Sequence, residues 1–134
     1  MKSEYRNEID AKYINSKHVQ IRWAKTLLFL RPFNVNVGLD IGDRTPFSEN
    51  LEEFYNCEFK NTDIDLDIGV LKGKYDIVTA FEVIEHLYNP LHMLLQISNI
   101  LNKNGRLYLS TPVGKPRYLW SEDHFHEMYR SSLI

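Results

Sequence analysis

The chain has 134 residues, of which 43% are hydrophobic and 25% are charged, as in an ordinary globular domain. Sixteen Lys and Arg residues against 18 Asp and Glu residues leave a formal net charge of −2. This charge excludes a strongly basic nucleic-acid-binding protein and a polyanionic disordered tail. The longest apolar run, Thr26–Leu30, is far shorter than a membrane span, and a single cysteine, Cys57, cannot form an internal disulfide. We expect one cytoplasmic domain that binds neither membrane nor nucleic acid.

The first 33 residues are predicted to be helical. In residues 4–15 the apolar side chains recur every four positions, as on a loosely held helix. From His18 to Leu30 the apolar pattern is stronger and broader. No repeat, linker or low-complexity tract follows. The sequence therefore predicts one domain, 1–134, with an N-terminal helical segment, 1–33, and a core, 34–134.

Four stretches of the core are predicted to be strands. The strongest is Tyr75–Phe81, a short apolar run with β-branched residues that is typical of a strand covered on both faces. The others are Asn34–Ile41, which alternates and ends at Gly42, Cys57–Ile64, which runs into an acidic alternation, and Arg106–Thr111.

Amphipathic helices are predicted between the strands. Ser48 can cap a short helix through residues 50–55. Asn89 and Pro90 open a longer helix, and Gly105 is expected to stop it. Strands that alternate with such helices predict an α/β fold with a mainly parallel sheet.

The spacing of the strands predicts an abridged sheet. From Asp40 to Asp76 there are 36 residues, enough for about one further strand where a complete doubly wound sheet would need two. After Thr111 only 23 residues remain, too few for a helix and a hairpin. Either the sheet is abridged or the chain is a fragment. Because an abridged sheet leaves an edge strand without its usual neighbour, we expect a homo-oligomer.

Acidic residues crowd the carboxyl ends of three predicted strands, where ligands bind in an open parallel sheet. Such carboxylates suit a ligand with ribose hydroxyls and an ammonium group better than one whose main charge is a pyrophosphate. Asp63 and Asp65 would equally form the solvated face of an alternating strand. Residues 40–42 also fit a simple strand-ending turn, although their neighbours favour a ligand site.

Three segments, in this order, resemble the class I S-adenosylmethionine-dependent methyltransferases, in particular their small-molecule, ubiquinone-type branch. Residues 39–42, Leu-Asp-Ile-Gly, match the start of that family's cofactor loop. Residues 75–87, which include Phe-Glu-Val-Ile-Glu-His-Leu, are similar to its fourth-strand signature, and residues 104–112 to its fifth strand. The resemblance covers about residues 37–133 and implies a Rossmann-like fold.

The resemblance also implies S-adenosylmethionine as the cofactor and a set of residues that contact it. We expect cofactor contacts from Asp40, Ile41, Gly42, Asp43, Asp63, Asp65, Phe81, Glu82 and Val83. The family's loop normally continues with two further glycines, whereas this chain has Asp43-Arg44-Thr45-Pro46. Because these residues add bulk and Pro46 lacks a backbone donor, we expect weak cofactor binding that glycine at positions 44 and 46 would tighten.

Two histidines are candidate bases for an acceptor. His86 follows the third predicted strand, and His124 lies in a His-rich segment similar to one that family members carry near the acceptor pocket. His86 also fits a structural histidine at a helix start. With His126, Glu82 and Glu85 these residues could hold a divalent metal if residues 124–126 formed a strand. Since His-x-His pairs are often only loop residues, we expect no metal.

The resemblance implies methyl transfer to a small-molecule acceptor by direct displacement, a reaction that needs mainly alignment and a dry pocket. The alternative is a methyltransferase-fold protein that has lost catalysis and serves as a binding or partner subunit, which the altered loop and the abridged sheet favour. A nucleotide-dependent oxidoreductase is disfavoured because no G-x-G-x-x-G follows the first strand.

Overall fold

The computed structural model describes residues 11–129 of the chain. Residues 11–14 are helical, and the rest of the helix predicted over 4–15 lies largely outside the described residues. The elements that follow are α1 (Lys17–Phe29), β1 (Val37–Asp40), α2 (Pro46–Tyr55), β2 (Glu58–Asn61), β3 (Tyr75–Phe81), a 3-10 turn (Ile84–His86), α3 (Pro90–Ile100), β4 (Leu101–Ser110) and a second 3-10 turn (Arg117–Leu119).

The four strands form one parallel sheet in the order β2-β1-β3-β4. The predicted α/β, Rossmann-like fold is confirmed, and the sheet is all-parallel rather than mainly so. One strand, β2, lies between β1 and β3 in the chain, as the spacing predicted. The connection from β2 to β3 contains no helix, whereas parallel strands are usually joined by a helical crossover.

The core has one cluster on each face of the sheet. On one face α3 covers β1 and β3 through Met93 and Ile97, which pack near Leu39 and Val78. On the other face α2 covers the sheet through Leu51 and Tyr55 and α1 adds Trp23 and Leu27 at its margin. The close approach of β2 to β1 requires Gly38, because a Cβ there would lie 2.5 Å from the ring of Phe59.

Helix α2 begins earlier than predicted, and its cap is Thr45 instead of Ser48. The Thr45 hydroxyl accepts a hydrogen bond from the Phe47 amide, and the Ser48 hydroxyl accepts one from the Thr45 amide. This capping box places Pro46 in the first turn, where an amide would have no partner within the helix. The helix therefore starts directly after the turn that follows β1.

Three other predictions are wrong in detail. The acidic alternation of residues 63–67 forms turns and loop instead of an alternating strand. Asp65 stabilises a turn there, since its side chain accepts a hydrogen bond from the Asp67 amide and its carbonyl accepts one from the Gly69 amide. Gly105 lies within β4 and does not stop α3, since the strand begins directly at Leu101. In α1, Leu28 is 81% exposed, so the apolar face is narrower than predicted.

Among residues 11–129 no helix has the length and the apolar character that crossing a membrane would require.

Candidate active site

A cleft of about 280 Å³ opens beyond the carboxyl ends of β1 and β3. Its lining comes from the turn after β1, from the end of β3, and from α1 with the residues just before it. Seven of the nine predicted cofactor residues line this cleft: Asp40, Ile41, Gly42, Asp43, Phe81, Glu82 and Val83. The carboxyl ends of neighbouring parallel strands thus converge on one site, as the fold class requires.

Asp40 fastens the elements around the cleft to one another. Its Oδ1 accepts a hydrogen bond from the Thr79 hydroxyl of β3 at 2.7 Å, and its Oδ2 accepts one from the Ser48 hydroxyl of α2 at 2.7 Å. Asn61 of β2 donates to the Asp40 carbonyl at 3.1 Å. Burial raises the pKa of Asp40, although the two hydroxyl donors oppose this shift. Asp40 therefore holds the geometry of the cleft with oxygens that already accept bonds from the protein.

The turn after β1 is anchored to β2. The Gly42 amide donates to the Thr62 hydroxyl at 2.8 Å, and the Gly42 carbonyl accepts from the Thr62 amide. Gly42 has a φ of 104°, and a Cβ at this position would meet no atom within 4 Å. The backbone conformation and not crowding therefore requires glycine here, and a ligand can approach this backbone closely.

Arg44 stands where the resemblance would place a glycine, but its charged end is bound to the protein. The guanidinium donates to the Phe59 carbonyl at 3.1 Å and pairs with the Glu52 carboxylate. The end of the Arg44 side chain therefore contacts α2 and β2. The weak cofactor binding expected from the altered loop stays a prediction.

An ion pair spans the cleft between α1 and the end of β3. Arg22 Nη1 lies 3.5 Å from Glu82 Oε1. The other oxygen of Glu82, Oε2, is buried and has no hydrogen-bond partner among residues 11–129. Glu82 also adopts the left-handed backbone conformation, with φ 55°, which is uncommon for a residue with a side chain. This pair therefore brings a cation and an incompletely satisfied carboxylate to opposite sides of the cleft.

Aromatic side chains line the cleft next to this ion pair. Trp23 stacks on Phe47 with ring centroids 5.6 Å apart, and Phe47 meets Phe81 edge to face at 5.6 Å. Trp23 belongs to the apolar pattern predicted from His18 to Leu30, and Arg22 was not among the predicted site residues. The sequence feature that could have identified Arg22 is its position next to Trp23, because both side chains line the cleft.

Beside the cleft, the 3-10 turn Ile84–His86 meets the loop of residues 121–127. The rings of His86 and His124 contact edge to face with centroids 4.8 Å apart. His86 Nδ1 lies 3.0 Å from the Asp123 carbonyl, and His124 Nδ1 lies 2.8 Å from Glu127 Oε1. The two candidate bases are therefore neighbours, although they are 38 positions apart in the chain.

The carboxyl group of Glu85 belongs to the same cluster. It is 1% exposed, and burial raises its pKa. Ligand atoms of Glu85, His86 and His124 lie within 4.8 Å of one another, close enough to share one divalent cation. His126 lies outside this cluster, 3.3 Å from the Tyr88 carbonyl, and residues 124–126 form no strand, so the interpretation of two strand-mounted ligands is wrong. The expectation of no metal stays a prediction.

The remaining predicted cofactor residues lie away from the cleft. Asp63 lines a second cavity, of about 510 Å³, between the β2–β3 connection and the sheet near Leu39 and Tyr75. Asp65 lines neither cavity and stabilises the turn of its own loop. The missing helix between β2 and β3 explains both positions, because the chain leaves β2 as a loop over the sheet.

Comparison with known proteins decides the family. A family model described as "Methyltransferase domain" matches residues 15–130, most of the chain. The chain belongs to this methyltransferase family. The methyltransferase domain thus has its family's fold with a sheet of four described strands.

A similar relative is the ubiquinone biosynthesis O-methyltransferase of Glaesserella parasuis serovar 5 (strain SH0165). It is 42% identical over 38 residues, which are 28% of this methyltransferase domain and 16% of the relative. The matched segment therefore spans less than a fifth of the relative's length.

Proposed function

We propose that the protein transfers a methyl group from S-adenosylmethionine to a hydroxyl group of a small molecule. The observation that carries the proposal is the Arg22–Glu82 pair in the cleft beyond the carboxyl ends of β1 and β3. Membership of the methyltransferase family supports the same chemistry.

The charges of the cleft suit the amino-acid end of this cofactor. That end carries a carboxylate and an ammonium group, and Arg22 and Glu82 offer one opposite charge to each. The buried, unpartnered Oε2 of Glu82 is a costly acceptor in the free protein, and an ammonium donor would satisfy it. The rings of Trp23 and Phe81 supply apolar surface beside these charges.

The histidine pair beside the cleft suits an acceptor that must lose a proton. Methyl transfer from a sulfonium needs alignment more than leaving-group activation, and a nearby imidazole adds general-base help when the acceptor is a hydroxyl. His86 and His124 lie on the 3-10 turn and loop next to Val83, which lines the cleft. The name of the relative, an O-methyltransferase, agrees with a hydroxyl acceptor.

Calorimetric titration with S-adenosylmethionine tests the cofactor assignment. We expect Arg22→Met to weaken binding about tenfold or more, because it removes the cation that faces the cofactor carboxylate. Lys25→Met is the matched control, since Lys25 is an exposed cation on the same helix. Equal affinities of the Arg22→Met variant and the parent protein would contradict the assignment.

A second candidate function is a methyltransferase-fold subunit that binds a ligand or a partner without catalysis. The observation that favours it is the turn after β1. Residues 43–46 lack the family's further glycines, and the amide of Gly42 just before them is already hydrogen-bonded to Thr62. Methyl transfer from radiolabelled cofactor to a panel of small phenols and alcohols separates the two. Cofactor binding without transfer would favour the second candidate.

A further inference from the structure

Glu127 is a buried carboxylate that has no part in the proposed function. Its side chain is 1% exposed, and its Oε1 lies 2.8 Å from Nδ1 of His124, whose side chain is 14% exposed. Its Oε2 is buried and has no hydrogen-bond partner within the described part of the chain. Burying a half-satisfied carboxylate costs stability. An apolar side chain would fill this place at lower cost, so what Glu127 adds is its contact with His124.

The backbone around Glu127 is held on both sides. Before it, the amides of Phe125 and His126 donate to the Glu85 carbonyl at 2.7 and 3.3 Å. After it, the Met128 carbonyl accepts from the Gly114 amide at 3.0 Å. These bonds fix the loop to the 3-10 turn and to the segment after β4. Glu127 therefore meets the histidine ring from a rigid frame, as a group that orients another must.

The contact decides which nitrogen of His124 is free. A carboxylate only accepts hydrogen bonds, so the neutral imidazole must carry its proton on Nδ1. The lone pair is then on Nε2, the far side of the ring. His86 is held in the same way, since its Nδ1 faces the Asp123 carbonyl, an acceptor, at 3.0 Å. Both rings are thus bound through Nδ1. Nε2 of His86 lies 3.9 Å from Glu85 Oε1, whereas Nε2 of His124 makes no hydrogen bond within residues 11–129 and is left for another partner.

We propose that Glu127 is a positioning residue, which fixes the orientation and the Nδ1–H tautomer of His124 so that Nε2 faces the methyl acceptor. This inference rests on the proposed function. In the reaction, Nε2 takes the proton of the acceptor hydroxyl while the oxygen forms a bond to the methyl carbon. The carbon–sulfur bond breaks, and its electron pair remains on sulfur as the sulfonium becomes a thioether. The imidazolium returns its proton to water.

Nitrogen-15 NMR of the histidine side chains in the intact protein tests the tautomer without any substrate. We expect the neutral form of His124 to carry its proton on Nδ1 and none on Nε2. Glu127→Ala should allow both tautomers, whereas Glu127→Gln should keep the parent tautomer because the amide oxygen still accepts from Nδ1–H. A neutral His124 ring that carries its proton on Nε2 in the parent protein overturns the proposal, and this measurement needs no variant to fold.

Kinetics then test the positioning role. We expect Glu127→Ala to lower kcat about 10- to 100-fold, the usual effect of losing a carboxylate that orients an imidazole, with the KM of the cofactor unchanged. Glu127→Gln should recover most of this loss. Glu122→Ala is the control, because Glu122 is an exposed carboxylate on the same loop. An unchanged kcat in a folded Glu127→Ala protein overturns the role.

The two readouts separate this inference from the proposed function. If the protein neither binds S-adenosylmethionine nor transfers its methyl group, the proposed function fails while the tautomer result still stands. If the enzyme is active and His124 carries its proton on Nε2, the proposed function stands and the role of Glu127 fails.

Discussion

Two aspartates at opposite ends of the central strands show how the surroundings decide the behaviour of one residue type. Asp40 lies buried at the carboxyl end of β1, and burial raises its pKa. Asp76 lies near the amino end of β3, where the Asn36 amide donates to it at 2.8 Å. That amide, together with the Asn102 side chain, lowers the pKa of Asp76. Ionisation of the same chemical group is therefore opposed by burial at Asp40 and supported by hydrogen-bond donors at Asp76.

The first residue-scale prediction concerns Asp40 and the pH dependence of stability. Because its pKa is raised in the folded state, the folded protein binds more protons than the unfolded one above the ordinary value of 3.8, and stability falls as pH rises through this window. We expect the free energy of unfolding of the parent protein, minus that of Asp40→Asn, to decrease from about pH 4 to about pH 7 in urea titrations.

Asp76→Asn is the matched comparison, and its expected slope has the opposite sign. The pKa of Asp76 is lowered, so its contribution is present above 3.8 and is lost as pH falls below that value. The difference between the parent protein and Asp76→Asn should therefore grow as pH rises toward about 4. A difference between the parent protein and Asp40→Asn that does not fall between about pH 4 and about pH 7 would mean that burial does not govern Asp40.

At the scale of elements, the start of α2 is where a local bond fixes the geometry of the cleft. We expect Thr45→Val to destabilise the protein by about 1 kcal/mol, because it removes the side-chain acceptor of the helix cap. Thr45→Ser keeps the hydroxyl and should be nearly neutral. Urea unfolding of both variants measures the effect, and equal stabilities would show that the capping box contributes little.

The bounds of a strand were predicted best where the local composition of a short run is sufficient to identify it. Tyr75–Phe81 has the predicted bounds because an apolar run with β-branched residues, buried on both faces, fits a central strand and little else. The Asn89 cap of α3 was likewise found where predicted. The start of α2 was not, because Thr45 and Ser48 are both good caps and only the position of Pro46 in the fold decides between them.

Helix ends and site residues depended on neighbours that are distant in the chain. Gly105 looked like a helix stop, yet Asn104 adopts the positive φ and the glycine allows close approach to the Asn102 and Asp76 carbonyls. Convergence of strand ends could be predicted from topology, so Asp40 and Glu82 were named. Arg22 was missed because its partner, Glu82, is 60 positions away in the chain. Glu127 is only three positions from His124, but residues 124–127 form no regular element whose period would have predicted that the two side chains meet.

At the scale of the whole molecule, both edges of the described sheet are free. No strand among residues 11–129 pairs with the outer side of β2 or of β4, and no residue of β4 is fully buried. Free edges with apolar side chains are covered in many proteins by another chain. We therefore keep the prediction of a homo-oligomer, formed through the sheet edge or the aromatic residues near Tyr118, which is 84% exposed.

Light scattering across a range of micromolar concentrations tests this prediction. We expect a mass above 15.9 kDa that rises with concentration. Tyr118→Glu separates the two surfaces, since it should reduce association only if the segment near Tyr118 forms the contact. A mass of 15.9 kDa at every concentration would contradict association.

The strand order also sets the way in which this chain must fold. β1 is the first of the four described strands in the chain, yet it lies inside the sheet between β2 and β3. It pairs with β2 only after the whole of α2 has been made, and with β3 only after the long connection that follows. Among the four strands of residues 11–129 no pair is joined by a hairpin, so no pairing across a short turn can start this sheet. During synthesis, β1 therefore stays unpaired until β2 and β3 have been made. Such non-local pairing is associated with slow folding, and an unpaired strand is exposed to aggregation in the meantime.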